Sequence, residues 1–279
     1  KVQNTTNVAS TGGGGISCIE GNPVILNNII MLNQARYAAG IMLYRSGVIL
    51  RNNIICQNAG GQDYGGGGIV MEGNGPGPKI MENNTIVANA AFGDGFYGGR
   101  AGGLLVFKTS LTARNNIIWG NIQNNGGQIY VHNERTYVDF TYNDIEGGLD
   151  GEGNINTPPE FFRTHFKLSY NSPCIDAGTP DTNYNDPVSQ SDRTIANNPA
   201  KGGLRNDLGS YGGPGCIDMM VPDILIPEAS YGGIPFQIPG KIEAEAFDWG
   251  SEGKAYHDID NLNHGGMYRI IGVDIDTSM

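Results

Sequence analysis

Short apolar runs recur along the first half of the chain, and each one follows a pair of polar residues. Residues 27–30 are Asn-Asn-Ile-Ile, a motif that returns twice unchanged and twice in variant form, as Asn-Asn-Thr-Ile and Tyr-Asn-Asp-Ile. The five copies occupy residues 27–30, 52–55, 83–86, 115–118 and 142–145, and the last of them is the least similar to the others. Spacings of 25 to 32 residues indicate a repeat architecture in which every unit contributes the same secondary structure.

A second apolar pattern precedes each Asn pair. A small residue, usually Gly, is followed by alternating apolar positions, as in a strand with one buried face. The copies begin at Gly15-Ile16, Gly40-Ile41, Gly68-Ile69, Gly103-Leu104 and Gly127-Gln128-Ile129. Five residues after the second Asn of the pair, four copies carry a further Asn: Asn33, Asn58, Asn89 and Asn121. One repeat is therefore predicted to contain strand, turn, strand, Asn-rich turn, short strand and variable loop.

This repeat predicts an all-β fold, a right-handed parallel β-helix. A single coil cannot bury its own inner face, so several similar coils must stack, about 4.8 Å apart. Equivalent turn residues then lie above one another, and a column of Asn side chains can hydrogen-bond along itself and to the turn backbone. The predicted column contains Asn28, Asn53, Asn84, Asn116 and Asn143. A β-sandwich is the main alternative, but it does not predict Asn at one place in every repeat.

Composition narrows the class further. The 44 glycines and 30 asparagines make up more than a quarter of the 279 residues, and neither type favours helix interiors or regular strands. A helical bundle and an ordinary doubly wound α/β domain are therefore excluded. The net charge is −11 with only 17 Lys and Arg, which argues against nucleic acid or an anionic membrane as the main partner. No apolar run approaches the roughly 20 residues of a membrane span.

Two residues before the second Asn, the repeat carries a position that strand alternation places on the outside. The residues there are Leu26, Arg51, Glu82, Arg114 and Thr141. Opposite charges on neighbouring coils predict a surface charge ladder of small energetic value. The alternative is that the same charges form part of a sugar-binding groove.

After residue 155 the pattern changes, and a segment that closes the solenoid is expected. Residues 172–178 read Ser-Pro-Cys-Ile-Asp-Ala-Gly, and residues 205–213 read Arg-Asn-Asp-Leu-Gly-Ser-Tyr-Gly-Gly. These stretches resemble the final coils of secreted bacterial β-helix proteins of the pectate-lyase-like kind. The resemblance covers roughly residues 12–213 and implies an extracellular setting, but no particular reaction. Residues 1–213 are accordingly predicted to form the β-helix with its closing coils.

Five prolines and a Gly pair within residues 214–240 predict a linker, which we place at residues 214–237. Residues 238–279 contain Ile-Pro-Gly-Lys-Ile-Glu-Ala-Glu-Ala-Phe, Ala-Tyr-His-Asp and Gly-Gly-Met-Tyr-Arg. In this order the blocks resemble the opening of family 6 carbohydrate-binding modules, which are β-sandwiches. The resemblance implies a structural Ca²⁺ held by Glu243 and Glu245, and a sugar-stacking role for Tyr268. A solvated acidic strand face is the alternative for the two glutamates.

Candidates for chemistry in the β-helix are few. A lyase needs a base and a group that neutralises a uronate carboxylate. The candidates are Lys79, Arg100, His132, Lys108, Arg114 and Arg135, of which Lys108 and Arg114 share one coil and Arg135 lies in the next. A glycoside hydrolase needs two carboxylates, and Asp63, Glu72, Asp94 and Glu134 are available without a preferred pair. Asp63 and Asp94 lie in two Gly-rich loops, where a binding face is expected. Ca²⁺ is also compatible with this acidic β-helix.

The four cysteines lack zinc-ligand spacing. Cys174 and Cys216 flank the closing segment, so we expect either a disulfide between them or two buried thiols. Cys56 aligns with Met31, Val87 and Trp119 in the repeat, which predicts a packing role.

Together these patterns predict a secreted bacterial protein that binds or degrades a plant or algal cell-wall polysaccharide. The β-helix would face the polymer, and the appended module would raise the local concentration of protein on it. If the β-helix is catalytic, a lyase is favoured over a hydrolase. The alternative is an adhesin or a structural solenoid of the cell surface without an active site.

Overall fold

A computed structural model describes residues 2–3, 6–7, 13–61, 65–93, 99–123, 127–132, 135–162 and 165–219. Contacts divide the chain into two compact units. The first comprises residues 1–159 and 173–219, and the second comprises residues 160–172 and 220–279. The proposed linker beyond residue 219 and the whole of residues 238–279 lie outside the described residues, so the carbohydrate-binding module stays a prediction.

Four parallel sheets make up the body of the first unit. Sheet 1 contains β3 (Ile16–Ile19), β7 (Ile41–Tyr44), β11 (Ile69–Glu72), β15 (Ala101–Phe107) and β19 (Gly127–Val131). Sheet 2 contains β4 (Val24–Leu26), β8 (Val48–Arg51), β12 (Lys79–Glu82), β16 (Ser110–Arg114) and β20 (Tyr137–Thr141). Sheet 3 contains β1 (Val2–Gln3), β5 (Ile29–Met31), β9 (Ile54–Cys56), β13 (Thr85–Val87), β17 (Ile117–Trp119) and β21 (Asp144–Ile145). Sheet 4 contains β2 (Thr6–Asn7), β6 (Gln34–Ala35), β10 (Ala59–Gly60), β14 (Ala90–Ala91) and β18 (Ile122–Gln123).

Each coil visits the four sheets once, and every strand pairs in parallel with its equivalent in the next coil. The predicted all-β solenoid is therefore confirmed, and four complete coils lie within the described residues. Inward-facing residues of sheets 1, 2 and 3 form one continuous apolar core. Its members include Ile30, Leu43, Leu50, Ile55, Met71, Met81, Ile86, Leu104 and Ile118. One unbroken core explains why the apolar positions recur with the coil period.

The predicted Asn column is present and runs through all five expected residues. In each step, one Asn donates both its backbone N–H and its side-chain Nδ2 to the Oδ1 of the next Asn. Between Asn53 and Asn84 these distances are 3.1 and 3.0 Å. The Nδ2 atom of Asn53 also donates to the backbone oxygen of Ile25, at 2.8 Å. The column extends to a sixth residue, Asn154, which accepts from Asn143.

A second column runs through Asn33, Asn58, Asn89 and Asn121 with the same bonding pattern. It ends on Gln128, whose Oε1 accepts from Asn121 Nδ2 at 2.7 Å. Gln128 stands where the earlier repeats have Gly. At Gly40 a Cβ atom would lie 2.4 Å from the backbone oxygen of Gly68, so close stacking of the coils requires glycine there.

The first Asn of each pair has a different role, because its backbone is left-handed. Asn27, Asn52, Asn83 and Asn115 have φ between 52° and 57°, a region that Asn tolerates better than most residues. The side chains of Asn27, Asn52 and Asn83 donate to residues 206–215, and Thr179 N donates to Asn115 Oδ1 at 2.9 Å.

These bonds hold the closing segment, which we call the strap (Pro173–Met219), along the side of the solenoid. The strap adds no coil to the end of the β-helix, in contrast to the closing coils expected from sequence. Its described residues contain one 3₁₀ turn, Thr182–Tyr184, and one isolated bridge, Val188–Ala196. Residues 214–219, which sequence assigned to the linker, belong to the strap. The physical reason is that its polar groups bond to the outward asparagines rather than to a further row of strands.

Two buried polar clusters anchor the strap. Asp186 accepts from the backbone N–H groups of Asp207 and Gly213, and Asp207 accepts from those of Asp176 and Lys201. Burial raises the pKa of both Asp186 and Asp207 well above the usual range of a carboxyl group. The second cluster joins Asp144 of β21 to the strap. There the Cys174 thiol donates to Asp144 Oδ2 at 3.2 Å, and burial raises the pKa of Asp144 to about 7.

None of the four cysteines, all of which lie in the described residues, is in a disulfide. The disulfide between Cys174 and Cys216 is therefore wrong, and the alternative of two buried thiols holds. The hydrogen bond of Cys174 to Asp144 gives its thiol a different partner. Cys56 is fully buried and pairs in register with Met31 and Val87, as its packing role predicted.

The described part of the second unit is small. β22 (Phe161–Phe162) pairs in antiparallel fashion with β23 (Lys167–Leu168). The rings of Phe161 and Phe166 meet edge to face with centroids 5.5 Å apart.

The Asn column predicts a measurable stability difference. Replacing Asn84 with Ala leaves the backbone N–H of Asn53 without its acceptor and removes the Nδ2 donor from the backbone oxygens of Leu50 and Glu82, in a site closed to water. We expect the free energy of unfolding to fall by about 3 kcal/mol, measured by urea denaturation. The control Asn197→Ala removes an exposed Asn of the strap and should change stability by no more than about 0.5 kcal/mol. Equal effects of the two substitutions would contradict a structural role of the column.

Asp144 predicts a pH dependence of stability. Its pKa is about 7 in the fold and near 4 in an unfolded chain. The stabilising contribution of this carboxyl is therefore complete below about pH 4 and is lost as the pH rises through 7. Asp144→Asn keeps a side chain of the same shape without the charge. Between pH 5 and pH 8.5 we expect the variant to lose at least about 1 kcal/mol less stability than the unmodified protein.

Urea denaturation at the two pH values checks this difference. Asp186 and Asp207 titrate in both proteins, so the comparison isolates Asp144. The exposed Asp139→Asn should keep the pH dependence of the unmodified protein. An unchanged pH dependence in Asp144→Asn would show that this carboxyl is not the titrating group.

Candidate functional site

The outer surface of sheet 1 carries a concentration of aromatic and charged side chains. Strand alternation directs every second residue outward, and the parallel register aligns these residues from coil to coil. One outward column contains Ile19, Tyr44, Glu72 and Phe107. A second contains Ser17, Met42, Val70, Leu105 and Tyr130. We call this surface the aromatic face and define it by Tyr37, Tyr44, Glu72, Arg100, Phe107, Tyr130 and His132.

An apolar layer supports the aromatic face from beneath. Met42, Val70 and Leu105 are buried on the outer side of the sheet, and the partly buried rings of Tyr37, Tyr44, Phe107 and Tyr130 pack around them. Packing on one side fixes the rings in position and leaves their other side partly accessible. The result is a rigid platform rather than a set of mobile surface residues.

Cations lie over the rings of this platform. The Arg45 guanidinium lies 5.1 Å from the centroid of the Tyr44 ring, and Lys108 Nζ lies 4.9 Å from the centroid of Phe107. On the neighbouring column, Arg100 lies 4.8 Å from the centroid of Tyr130 and donates to its hydroxyl at 2.6 Å. Such cation–π contacts hold positive charge next to the aromatic surface.

One carboxylate lies between the rings. Glu72 separates Tyr44 from Phe107 in the outward column, and its Oε2 accepts from the hydroxyl of Tyr37 at 2.7 Å. Tyr37 lies in the loop between β6 and β7, one coil before Glu72. The next loop passes close to Tyr37 at Gly65, where φ is +100° and a Cβ atom would lie 2.6 Å from the Tyr37 backbone oxygen. A side chain at position 65 would clash with the Tyr37 backbone, so this close approach requires glycine.

The structure separates the three basic residues that sequence singled out. Lys108 lies on the aromatic face, against Phe107, whereas Arg114 lies at the far end of sheet 2, where its Nη1 donates to the hydroxyl of Tyr184 at 3.1 Å. Arg135 is exposed in the turn before β20. Lys108 precedes β16 and Arg114 is its last residue, so the two lie at opposite ends of the strand and do not converge on one site. The carboxylate candidates Asp63 and Asp94 lie outside the described residues.

The predicted charge ladder is present on sheet 2. Glu82 is in register with Arg51 on one side and Arg114 on the other. Its carboxylate pairs with the Nε atoms of both arginines, and Arg114 Nε lies 3.5 Å from Glu82 Oε1. Glu82 is more buried than an outward position implies, because the strap covers it.

Sequence reasoning missed the aromatic residues of the face. Tyr44, Phe107 and Tyr130 are isolated in the sequence, and they share no motif. Their common signal is their position relative to the small residue, usually Gly, that precedes the alternating apolar positions of each repeat. Tyr44 and Phe107 both stand three residues after the first inward apolar residue, and Tyr130 stands one residue after it.

Two further properties bear on partners. Among the residues that the structure describes, no group of three or more His, Cys, Asp or Glu side chains is placed to hold a metal ion. Glu243, Glu245 and Tyr268 are outside those residues, so their roles in binding Ca²⁺ and sugar remain predictions. Within the same described ranges, the chain has no helix with the length and hydrophobicity needed to cross a membrane.

Comparison with known families agrees with this architecture. The family model described as "Right handed beta helix region" matches residues 1–106. The matched part ends within β15 and includes the first three complete coils. The solenoid is a right-handed parallel β-helix. No curated protein and no solved structure gave a match.

Proposed function

We propose that this protein binds an extracellular polysaccharide along the aromatic face of its β-helix. The observation that carries the proposal is the alignment of Tyr44, Glu72 and Phe107 on successive strands, with Arg45 and Lys108 over the two rings. Aromatic rings present an apolar surface to the C–H face of a pyranose, and neighbouring polar groups bond its hydroxyls. A surface built from repeated coils suits a ligand that is itself a repeating chain.

The dimensions of the face agree with a linear polymer. Neighbouring strands are about 4.8 Å apart, so the column from Ile19 to Phe107 spans four strands and about 14 Å. That length accommodates several sugar units in an extended arrangement. In a right-handed β-helix the repeated loops emerge on one side, where they form walls of a binding surface. The loops that contain Asp63 and Asp94 lead directly into β11 and β15 of this face.

If the face also cleaves the polymer, elimination is the reaction that its charges favour. Elimination next to a uronate requires a base and a cation that neutralises the carboxylate, and the described face provides Arg45, Arg100 and Lys108. Hydrolysis requires two carboxylates at a suitable separation, and Glu72 is the carboxylate that the described strands place between the rings. Binding without cleavage would correspond to the adhesin alternative.

The C-terminal region completes the proposal. Glu243 and Glu245 would hold a structural Ca²⁺, Tyr268 would stack on a sugar, and the module would keep the β-helix close to the polymer. This arrangement and the extracellular location are supported by the sequence resemblance alone.

A pair of tyrosine variants tests the aromatic face. We expect Tyr44→Ala to weaken polysaccharide binding about tenfold, which corresponds to about 1.4 kcal/mol. Tyr137→Ala removes an equally large but exposed ring from sheet 2 and should bind like the unmodified protein. Affinity electrophoresis in gels that contain neutral or acidic polysaccharides measures the effect. Thermal unfolding of each variant controls for stability.

The same polysaccharides, incubated with the protein, separate the possible activities. Absorbance near 235 nm from an unsaturated product indicates elimination, and new reducing ends without that absorbance indicate hydrolysis. Retention in the gel without either product indicates a binding protein. If the full chain is retained by none of the polysaccharides, or if the two tyrosine variants bind alike, the proposed face is wrong.

A further inference from the structure

A cleft of about 460 Å³ lies between the strap and the outer side of sheet 2, on a different surface from the aromatic face. Its floor crosses three coils through Leu26, Arg51 and Glu82, which are successive members of the charge ladder. Tyr184 and Pro214 of the strap form the opposite side. The volume lies within the range of small-molecule sites, about 300 to 1,000 Å³.

The charge at the bottom of the cleft is fixed by the ladder. The Glu82 side chain is only 6% exposed, and its two oxygens pair with Arg51 and Arg114. Two guanidinium groups and one carboxylate leave a formal charge of +1. This local excess is opposite in sign to the net charge of −11 on the whole chain. A buried carboxylate between two cations also prevents either arginine from rotating away, because separation would leave a buried charge unpaired.

Arg51 is the group that can bind a ligand. Its Nε faces Glu82, which orients the guanidinium, while the side chain as a whole remains 47% exposed. Among the described residues its two terminal nitrogens have no hydrogen-bond partner, although they line the cleft together with Tyr184. Terminal guanidinium nitrogens form a planar pair of donors that matches the two oxygens of a carboxylate.

The remaining walls suit a hydroxylated ring rather than a simple anion. Tyr184 offers an aromatic ring, and Leu26 is 44% exposed beside it. Arg114 lies 5.1 Å from the Tyr184 centroid and bonds its hydroxyl, so this ring is held in place. Burial, followed by the nearby Glu82 carboxylate, raises the pKa of Tyr184. The exposed Asn183 borders the same space and can bond ring hydroxyls.

We propose that this cleft binds a single carboxylated sugar unit, with the carboxylate on the terminal nitrogens of Arg51 and the ring between Tyr184 and Leu26. The site goes beyond the proposed polysaccharide face, since it lies on another sheet and uses none of the same residues. It exists only because the strap returns along the solenoid, so the coils alone do not form it.

Titration of the full chain with monosaccharides tests the proposal. We expect D-glucuronate to bind in the millimolar range or tighter, with NMR or calorimetric detection, and D-glucose to bind at least tenfold more weakly. Succinate, which has carboxylates but no sugar ring, should also bind at least tenfold more weakly. Because the contact is ionic and partly exposed, we expect the affinity for glucuronate to decrease as the salt concentration rises.

Substitutions locate the site. Arg51→Gln removes the charge and should reduce glucuronate affinity at least tenfold, whereas Arg193→Gln removes an exposed arginine of the strap and should leave it unchanged. Tyr184→Leu tests the ring without touching Arg51 and should weaken glucuronate more than succinate. Thermal unfolding confirms that each variant is folded.

Three results would overturn the proposal: no binding of glucuronate to the folded protein, equal affinity for glucose or succinate, or binding that Arg51→Gln does not affect. These outcomes are independent of the polysaccharide assay. A protein that fails here can still bind polymer through Tyr44, and the Tyr44→Ala variant should bind glucuronate normally.

Discussion

Hydrogen bonding of buried turns is the constraint on which the whole structure depends. A coil must reverse direction at each corner, and the backbone groups at the corner become buried when the next coil stacks on it. Asn53, Asn84 and Asn116 meet this demand because one amide side chain offers both a donor and an acceptor at the spacing of neighbouring strands. Each asparagine bonds to the coil above and the coil below. The polar groups of one corner are therefore all hydrogen-bonded only when both neighbouring coils are in place. The apolar core can then be continuous from coil to coil.

The strap depends on the same asparagine pairs, but on their first member. Left-handed backbone at Asn52 and Asn83 turns these side chains away from the solenoid, toward the carbonyl groups of residues 207–212. The strands β9 and β13 of sheet 3 are buried on both faces in consequence. Ile54 and Ile117 face outward, yet both are completely buried. This double burial explains why the short strands of sheet 3 contain few polar residues, as in other sheets that are covered on both sides.

The solenoid could be predicted from the sequence because its signals repeat. One asparagine position in each repeat was enough to give the register of every coil, at Asn28, Asn53, Asn84, Asn116 and Asn143. The same alignment predicted that Cys56 is a packing residue. The strap could not be predicted, since its contacts with the solenoid join residues between 30 and 188 positions apart and its own sequence carries no repeated pattern. The aromatic face was missed for a related reason: Tyr44 and Phe107 each occur once in a column whose other members differ. The charge ladder was visible in the sequence, but its burial required the strap.

The hydrogen bonds between the strap and the outward asparagines also constrain the number of coils in the solenoid. The strap contacts Asn115, Asn83, Asn52 and Asn27 in that order, one coil after another. It therefore runs from the C-terminal coils back toward the N-terminal coils. Solenoids ordinarily gain or lose whole repeats with little penalty, because each repeat contacts only its neighbours. Here an extra coil between Asn52 and Asn83 would carry an outward asparagine for which the strap has no carbonyl, and every later contact would be out of step. The length of the strap thus fixes the number of coils that the β-helix can contain with all of these contacts intact.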